Sequence, residues 1–247
     1  MPRLGLGSSL TGGVVLPFTN TGYLVLDGTN DHVTVTDHDD WDFGTGDFTA
    51  AFWISCGAQS DAYPSILASA TGSYASGAVV IRLGPNSGGT AKTLLQLYVQ
   101  AGGGGSAMLT STTTMTDDAW RHVMVIRASA VFYLYIDGSQ EDTYDTNNPD
   151  VDFADNGTFY IGKNGWDGTN GDLDGYLDEV AMYSKALSSS ERSKLIGDGT
   201  PETAGNAKDI SDLAGYWRLE EGTGTSAYDS SGNSHTGTLV NATFGEH

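Results

Sequence analysis

Apolar residues alternate with polar ones along most of the chain, in short runs closed by Gly, Asp, Asn or Ser. A period of two is the pattern of a β-strand with one face on a core. "YLVLDGTNDHVTV" predicts two strands around an Asp-Gly-Thr-Asn turn, and "DFTAAFWISC" a third. "GAVVIRL" and "TLLQLYVQ" flank a Pro/Asn/Gly loop. "WRHVMVIRASAVFYLYIDGSQ" predicts a hairpin from Trp120 to Ile136 that turns again at Asp137-Gly138. "GTFYIG" and "GYLDEVAMY" complete the main series, and "AGYWRLEEGTGTSAYDSSGNSHTGTLVNATF" adds two more strands. Only one stretch has helical grammar. Leu187 precedes Ser188-Ser-Ser-Glu191, a capping-box spacing with a hydrophobic staple, and Gly197 offers the stop. That short helix is expected to plug one end of a sandwich.

Composition agrees with many strands and tight turns. Glycine contributes 34 of 247 residues, a length that suits a single large all-β domain. The charge narrows the partners. Thirty-one acids against eleven Lys and Arg give a net −20, which excludes nucleic acid and disfavours anionic membranes. A neutral glycan or a divalent cation remains compatible. Cys56 is the lone cysteine, so no intrachain disulfide forms, and it reads as a small buried hydrophobe. "MPRLGLGSSLTGGVVLPF" lacks an unbroken apolar run of signal or membrane-spanning length, so residues 1–20 are expected to form a flexible arm.

The acids raise the chemical question. "GDLDGYLDEV" places Asp172, Asp174, Asp178 and Glu179 within one short stretch. Strict alternation puts Tyr176, Asp178, Val180 and Met182 on one face, and Leu177, Glu179, Ala181 and Tyr183 on the other. Asp178 would then meet the rim of the core, where an unpaired carboxylate is costly. Bases are scarce, so calcium, which takes six to eight oxygens, is the expected partner. Upstream, "WDGTNGDLDG" adds Asp167 and Asn170. The run Asn170-x-Asp172-x-Asp174-Gly175 imitates the start of an EF-hand loop, but Ala181 stands where the bidentate Glu belongs. A solvated acidic loop is the alternative. Asp27, Asn30 and Asp31 form a second oxygen cluster that Asp178 would complete if the strands are neighbours; otherwise they are a plain hairpin turn.

In order, "YLVLDGTNDHVTV", "DFTAAFWI", "DDAWRHVMVIR", "FYLYIDGS", "FYIGKN" and "GYLDEVAMYSKALSSSE" resemble laminin-G-like, concanavalin-A-like jelly-roll domains over residues 21–196. The resemblance implies two curved antiparallel sheets packed face to face. It also implies a structural calcium between the "LDG..D" turn and the "DEV" strand, held by Asp27, Asn30, Asp31 and Asp178. "GYWRLEEGTGTSAYDSSGNSHTGTLVN" resembles the segment that usually begins such domains, yet it comes last. Residues 21–247 are therefore expected to form one jelly roll in which 214–247 supplies strands in permuted order; a truncated second domain is the alternative. The opening residues look, more loosely, like jelly-roll proteins of tailed-phage virions.

Catalysis is not expected. Asp178-Glu179 and Glu220-Glu221 are adjacent strand residues, which alternation points to opposite faces. The five histidines show no metal-ligand spacing, and no Gly-x-Ser-x-Gly elbow is present. Trp53, Trp120 and Trp217 read as core. Trp166 lies in a Gly/Asn/Asp loop suited to stacking on a sugar, with Asn164, Asp167 and Asn170 as hydroxyl partners; Trp41 and Tyr74 are further candidates. The expected protein is a non-catalytic, lectin-like virion component for adhesion or glycan binding, whose partners are other virion proteins or a surface glycan, with a homotrimer as the expected assembly. A cellular carbohydrate-binding module and a glycanase with an unrecognised site are the alternatives.

Overall fold

The computed structural model describes residues 18–69, 78–85, 91–101, 104–145, 149–153, 157–165 and 171–247. Two antiparallel sheets of eight strands each pack face to face. The first runs Ser139–Asp145, Val131–Ile136, Arg121–Ala128, Phe48–Ser55, Asp174–Tyr183, Gly22–Asp27 and Thr243–Glu246, with Leu213–Trp217 also on Asp174–Tyr183. The second runs Ser226–Ala227, Gly237–Val240, His32–Thr36, Thr158–Ile161, Ser65–Ser69, Val79–Pro85, Lys92–Ala101 and Gly104–Thr114. This is the all-β sandwich that the alternating pattern predicts.

The inner faces supply the core. Leu24, Leu26, Phe48, Phe52, Val123, Val125, Leu177 and Met182 meet Val33, Val35, Leu67, Ile81, Leu97 and Phe159. Trp41 joins them, fully buried, with its ring centroid 5.6 Å from Trp217 and 5.7 Å from Phe159, so it is no sugar platform. Arg127 is also fully buried. Its guanidinium donates to the carbonyls of Gly46 (2.6 Å), Pro149 (2.9 Å), Gly44 (2.8 Å) and Phe43 (3.3 Å), and lies 5.2 Å from the Phe48 ring. Four carbonyl dipoles stand in for a counter-ion.

Residues 213–246 put strands into both sheets: Thr243–Glu246 flanks Gly22–Asp27, and Gly237–Val240 flanks His32–Thr36. The Asp27-to-Asp31 turn therefore crosses between sheets and is not a hairpin turn. The expected arm ends in an anchor, because Asn20 is buried and donates to Asp178 Oδ2 (2.6 Å) and to the carbonyl of Pro201 (3.0 Å).

The helix spans Ser189–Ile196, with the Ser188–Glu191 capping box in place and Gly197 at its end (φ +59°). Its location differs from expectation. Leu195 packs with Ala51, Met124, Ile126, Ala181 and Tyr183, so the helix covers the outer face of the first sheet, not an end of the sandwich.

That second, outer layer depends on a bulge. Trp53 pairs with Asp178 but Ala51 with Ala181, so the Asp174–Tyr183 strand carries one extra residue, and Glu179 sits at φ +50°. Alternation resets there. Leu177, Val180 and Met182 face the inter-sheet core, while Ala181 and Tyr183 face the helix layer. The strand also changes neighbour at this point, from Gly22–Asp27 (Leu24 opposite Leu177) to Leu213–Trp217 (Trp217 opposite Val180).

Candidate functional site

The bulge decides the fate of Asp178. Asp27 lies opposite Asp174, and Leu24 opposite Leu177, so Asp178 stands about four residues, roughly 13 Å, along the strand from the Asp27 turn. The expected shared site of Asp27 and Asp178 is not formed. Asp178 Oδ2 instead meets Asn20 Nδ2 and His247 Nε2 (3.0 Å). Glu179 turns to the same outer layer, where Tyr216 donates its hydroxyl to Oε2 and Arg218 Nε lies 3.5 Å from Oε1. Burial raises both carboxyl pKa values, and the Asp178 charge raises Glu179 further. The two acids thus share a side, contrary to strict alternation. They are nonetheless roofed by Asn20, Pro201, Tyr216 and His247, with 0% and 6% exposure, and offer no surface to a glycosidic bond.

The other acids gather at one edge. Asp27 Oδ1 accepts from the Thr29 amide (2.8 Å), and Asp31 Oδ2 from the Asp27 amide (3.1 Å). Asn30, at φ +61°, donates its amide to Asp172 Oδ2 (3.0 Å), tying the turn to a loop 142 residues away. Asp172 in turn donates its amide to Asp61 Oδ2 (2.9 Å). Gln59 brackets Asp174, accepting from its amide (3.0 Å) and donating to its carbonyl (2.7 Å). Lys163 brings one positive charge to this edge. Its ammonium lies 3.1 Å from Asp172 Oδ1 and donates to Asn30 Oδ1 (3.2 Å). Burial raises the Asp31 pKa, with Asp27 and Asp172 adding to it; burial, reinforced by Lys163, lowers that of His32.

At this edge the carboxylates of Asp27, Asp31 and Asp172 each accept from a backbone amide, Lys163 bridges Asp172 and Asn30, and among the described residues no three of these acids bring ligand atoms within 4.8 Å of one another. Asp167, Asn170, Trp166 and Tyr74 lie outside the described residues. Asn164 is described and is buried at 5% exposure, packed against Gly171, where a Cβ would fall 2.2 Å from its Nδ2. It is not available to a sugar at the surface.

Next to this edge, the outer face of the second sheet presents a different arrangement. Arg82 lies on the outer side of Val79–Pro85, flanked by inward Ile81 and Leu83. Its guanidinium is 4.7 Å from the centroids of both Tyr63 and Tyr98, and Lys92 Nζ is 5.2 Å from Tyr63. Arg82 Nε is buried with no acceptor, and burial lowers the Arg82 pKa. Among the described residues no carboxylate pairs with it. Gln96, opposite Arg82 in register, lies over Gly84, where a Cβ would meet its Oε1 at 1.9 Å. Tyr63 is 42% exposed, and its loop is pinned by Leu83 N to Pro64 O (2.7 Å) and Ser65 N to Gly171 O (3.0 Å). Tyr160 and His32, in edge contact at 5.5 Å, extend this face toward the acidic edge.

A family model described as concanavalin A-like lectin/glucanases superfamily, of laminin G type, matches residues 27–191. The chain belongs to this superfamily. Solved structures share the jelly roll of this lectin-like chain at low identity. A proposed carbohydrate-binding protein of Bacteroides ovatus superposes with a TM-score of 0.67 at 20% identity, over 93% of this chain and 61% of its own. The heptameric SAP-like pentraxin of Limulus polyphemus gives 0.54 at 15% identity, over 77% and 88%. Domains LG4-5 of the mouse laminin alpha1 chain give 0.50 at 11%, over 72% and 48%. The lectin-like chain thus spans less than two thirds of the Bacteroides protein. No curated protein sequence matches it.

Sequence reasoning missed Lys163, Tyr63, Arg82 and Tyr98. A signal for Arg82 existed: one of eleven bases stands at a strand position between two inward apolar residues, on the face that Tyr98 shares.

Proposed function

We propose that this chain is a non-catalytic glycan-binding domain whose ligand lies across Tyr63, Arg82 and Tyr98. The observation that carries this reading is the arginine held between two tyrosine rings with no carboxylate partner among the described residues. Aromatic faces take the apolar C–H face of a pyranose, and a guanidinium fork donates to neighbouring hydroxyls. Gln96 adds an amide beside the fork. Membership of a superfamily of lectins and glucanases supports the ligand class. Burial of the Asp178–Glu179 pair supports binding without turnover.

The test is a glycan array followed by calorimetry with Tyr63→Ala and Arg82→Ala. Both variants are expected to lose most of the affinity, while Tyr63→Ala keeps the wild-type melting temperature because the ring is exposed. Retained binding in both variants, or no glycan bound by the wild-type chain, would overturn the reading. Display on a phage particle is a separate proposal that rests on the looser resemblance alone; mass spectrometry of purified virions tests it.

A further inference from the structure

We propose that His38, Asp40 and His235 form a binding site for a zinc-class divalent cation. Asp40 Oδ2 lies 3.3 Å from His38 Nδ1 and 2.6 Å from His235 Nε2, and the three ligand atoms fall within 4.8 Å of one another. Ligands around a tetrahedral zinc stand about 3.3 Å apart, given bonds of about 2.0–2.1 Å, so small side-chain adjustments close the set. Two imidazoles and one carboxylate form a donor set of intermediate softness that favours zinc over calcium or magnesium.

The two sides of the site differ in rigidity. His235 is held: its amide donates to Asp229 Oδ2 (3.0 Å), its carbonyl accepts from Trp217 Nε1 (2.9 Å), and its ring sits 4.7 Å from that of Trp41. His38 is half exposed, with its ring 4.4 Å from that of His235, and can turn either nitrogen toward an ion. Its Nδ1 accepts from the Asp40 amide, a bond that coordination through this nitrogen would replace. Asp40 also borders a surface cleft of about 430 Å³ lined by Asp39, Asp42, Asp47 and Asp212 and by no Lys or Arg. Such a cleft concentrates cations at its mouth. Sequence spacing conceals the site because the histidines are 197 positions apart by their numbers, and only the closed sandwich brings them together. A bound ion would clasp the tail to the segment that leads into Trp41.

The experiment is zinc titration by calorimetry on the full chain, read alongside thermal unfolding and zinc-edge anomalous scattering from crystals. One ion per chain at His38, Asp40 and His235 is expected, with a raised melting temperature in zinc. His38→Ala, at an exposed position, is expected to keep the fold and to weaken zinc binding by about tenfold or more. His235→Ala tests the same point but is itself destabilising. Asp212→Asn should leave binding within about twofold, since cleft charge attracts without coordinating. No zinc binding, binding indifferent to His38→Ala, or an ion located in the cleft away from the imidazoles would each overturn the proposal.

Discussion

Lys163 Nζ lies 3.1 Å from Asp172 Oδ1, with side-chain exposures of 13% and 7%. An ammonium carried by the chain therefore supplies positive charge to the acidic edge. Lys163→Met should cost about 2–3 kcal/mol, because it leaves Asp172 shielded from water without a counter-charge. Chemical denaturation measures this. Millimolar calcium should leave the wild-type melting temperature unchanged, and a calcium-dependent rise would show that the acids adopt another arrangement.

Stability should decline toward alkaline pH. The folded pKa values of Asp178 and Glu179 are raised by burial to about 6 and about 8, from 3.8 and 4.5. A raised folded pKa stabilises below the unfolded value, and that stabilisation is lost as pH rises through the folded value. His247 has the same sign: burial opposes its protonation, but the Asp178 hydrogen bond and charge outweigh burial and raise it. The melting temperature should fall steadily between about pH 5 and pH 9. Glu179→Gln should flatten the upper part of that profile; an unchanged slope would show that Glu179 does not titrate there.

Arg127 should resist replacement. Arg127→Met leaves four carbonyls without their donor and should cost about 3 kcal/mol in denaturant unfolding. Arg127→Lys should recover less than half of that, since one ammonium cannot match a planar fork that reaches Gly46, Pro149, Phe43 and Gly44 together.

Binding of a neutral glycan at Tyr63, Arg82 and Tyr98 should be nearly indifferent to salt. Its affinity should change by less than about twofold up to ~0.5 M sodium chloride, because no ion pair is screened. A steep fall, measured by calorimetry, would indicate an acidic ligand instead.

Local grammar made much of this fold readable. Ser188 and Glu191 are three residues apart and need only each other to cap a helix, and the strand from Val131 to Ile136 shows its alternation in six letters. Three features were hidden for distinct physical reasons. The Gly104–Thr114 strand is Gly, Ser and Thr apart from the consecutive Ala107-Met108-Leu109, so no apolar period marks it. Glu179 enters the left-handed region with no local reason in its side chain. The bulge there reverses the faces of every later residue in its strand, whereas the register that sets Asp27 opposite Asp174 is what leaves Asp178 four residues from the edge. Lys163, Arg82 and His235 matter through Asn30, Tyr98 and Asp40, each more than a dozen residues distant, and their roles exist only once the registers are set.

The strands at 237–240 and 243–246 leave the ribosome after every strand they pair with. Until they arrive, Gly22–Asp27 and His32–Thr36 present bare ladders of amides and carbonyls to any neighbouring chain. Completion of this sandwich is thus a late event of high contact order, and nascent copies crowded on a polysome are most prone to mispair at these two seams.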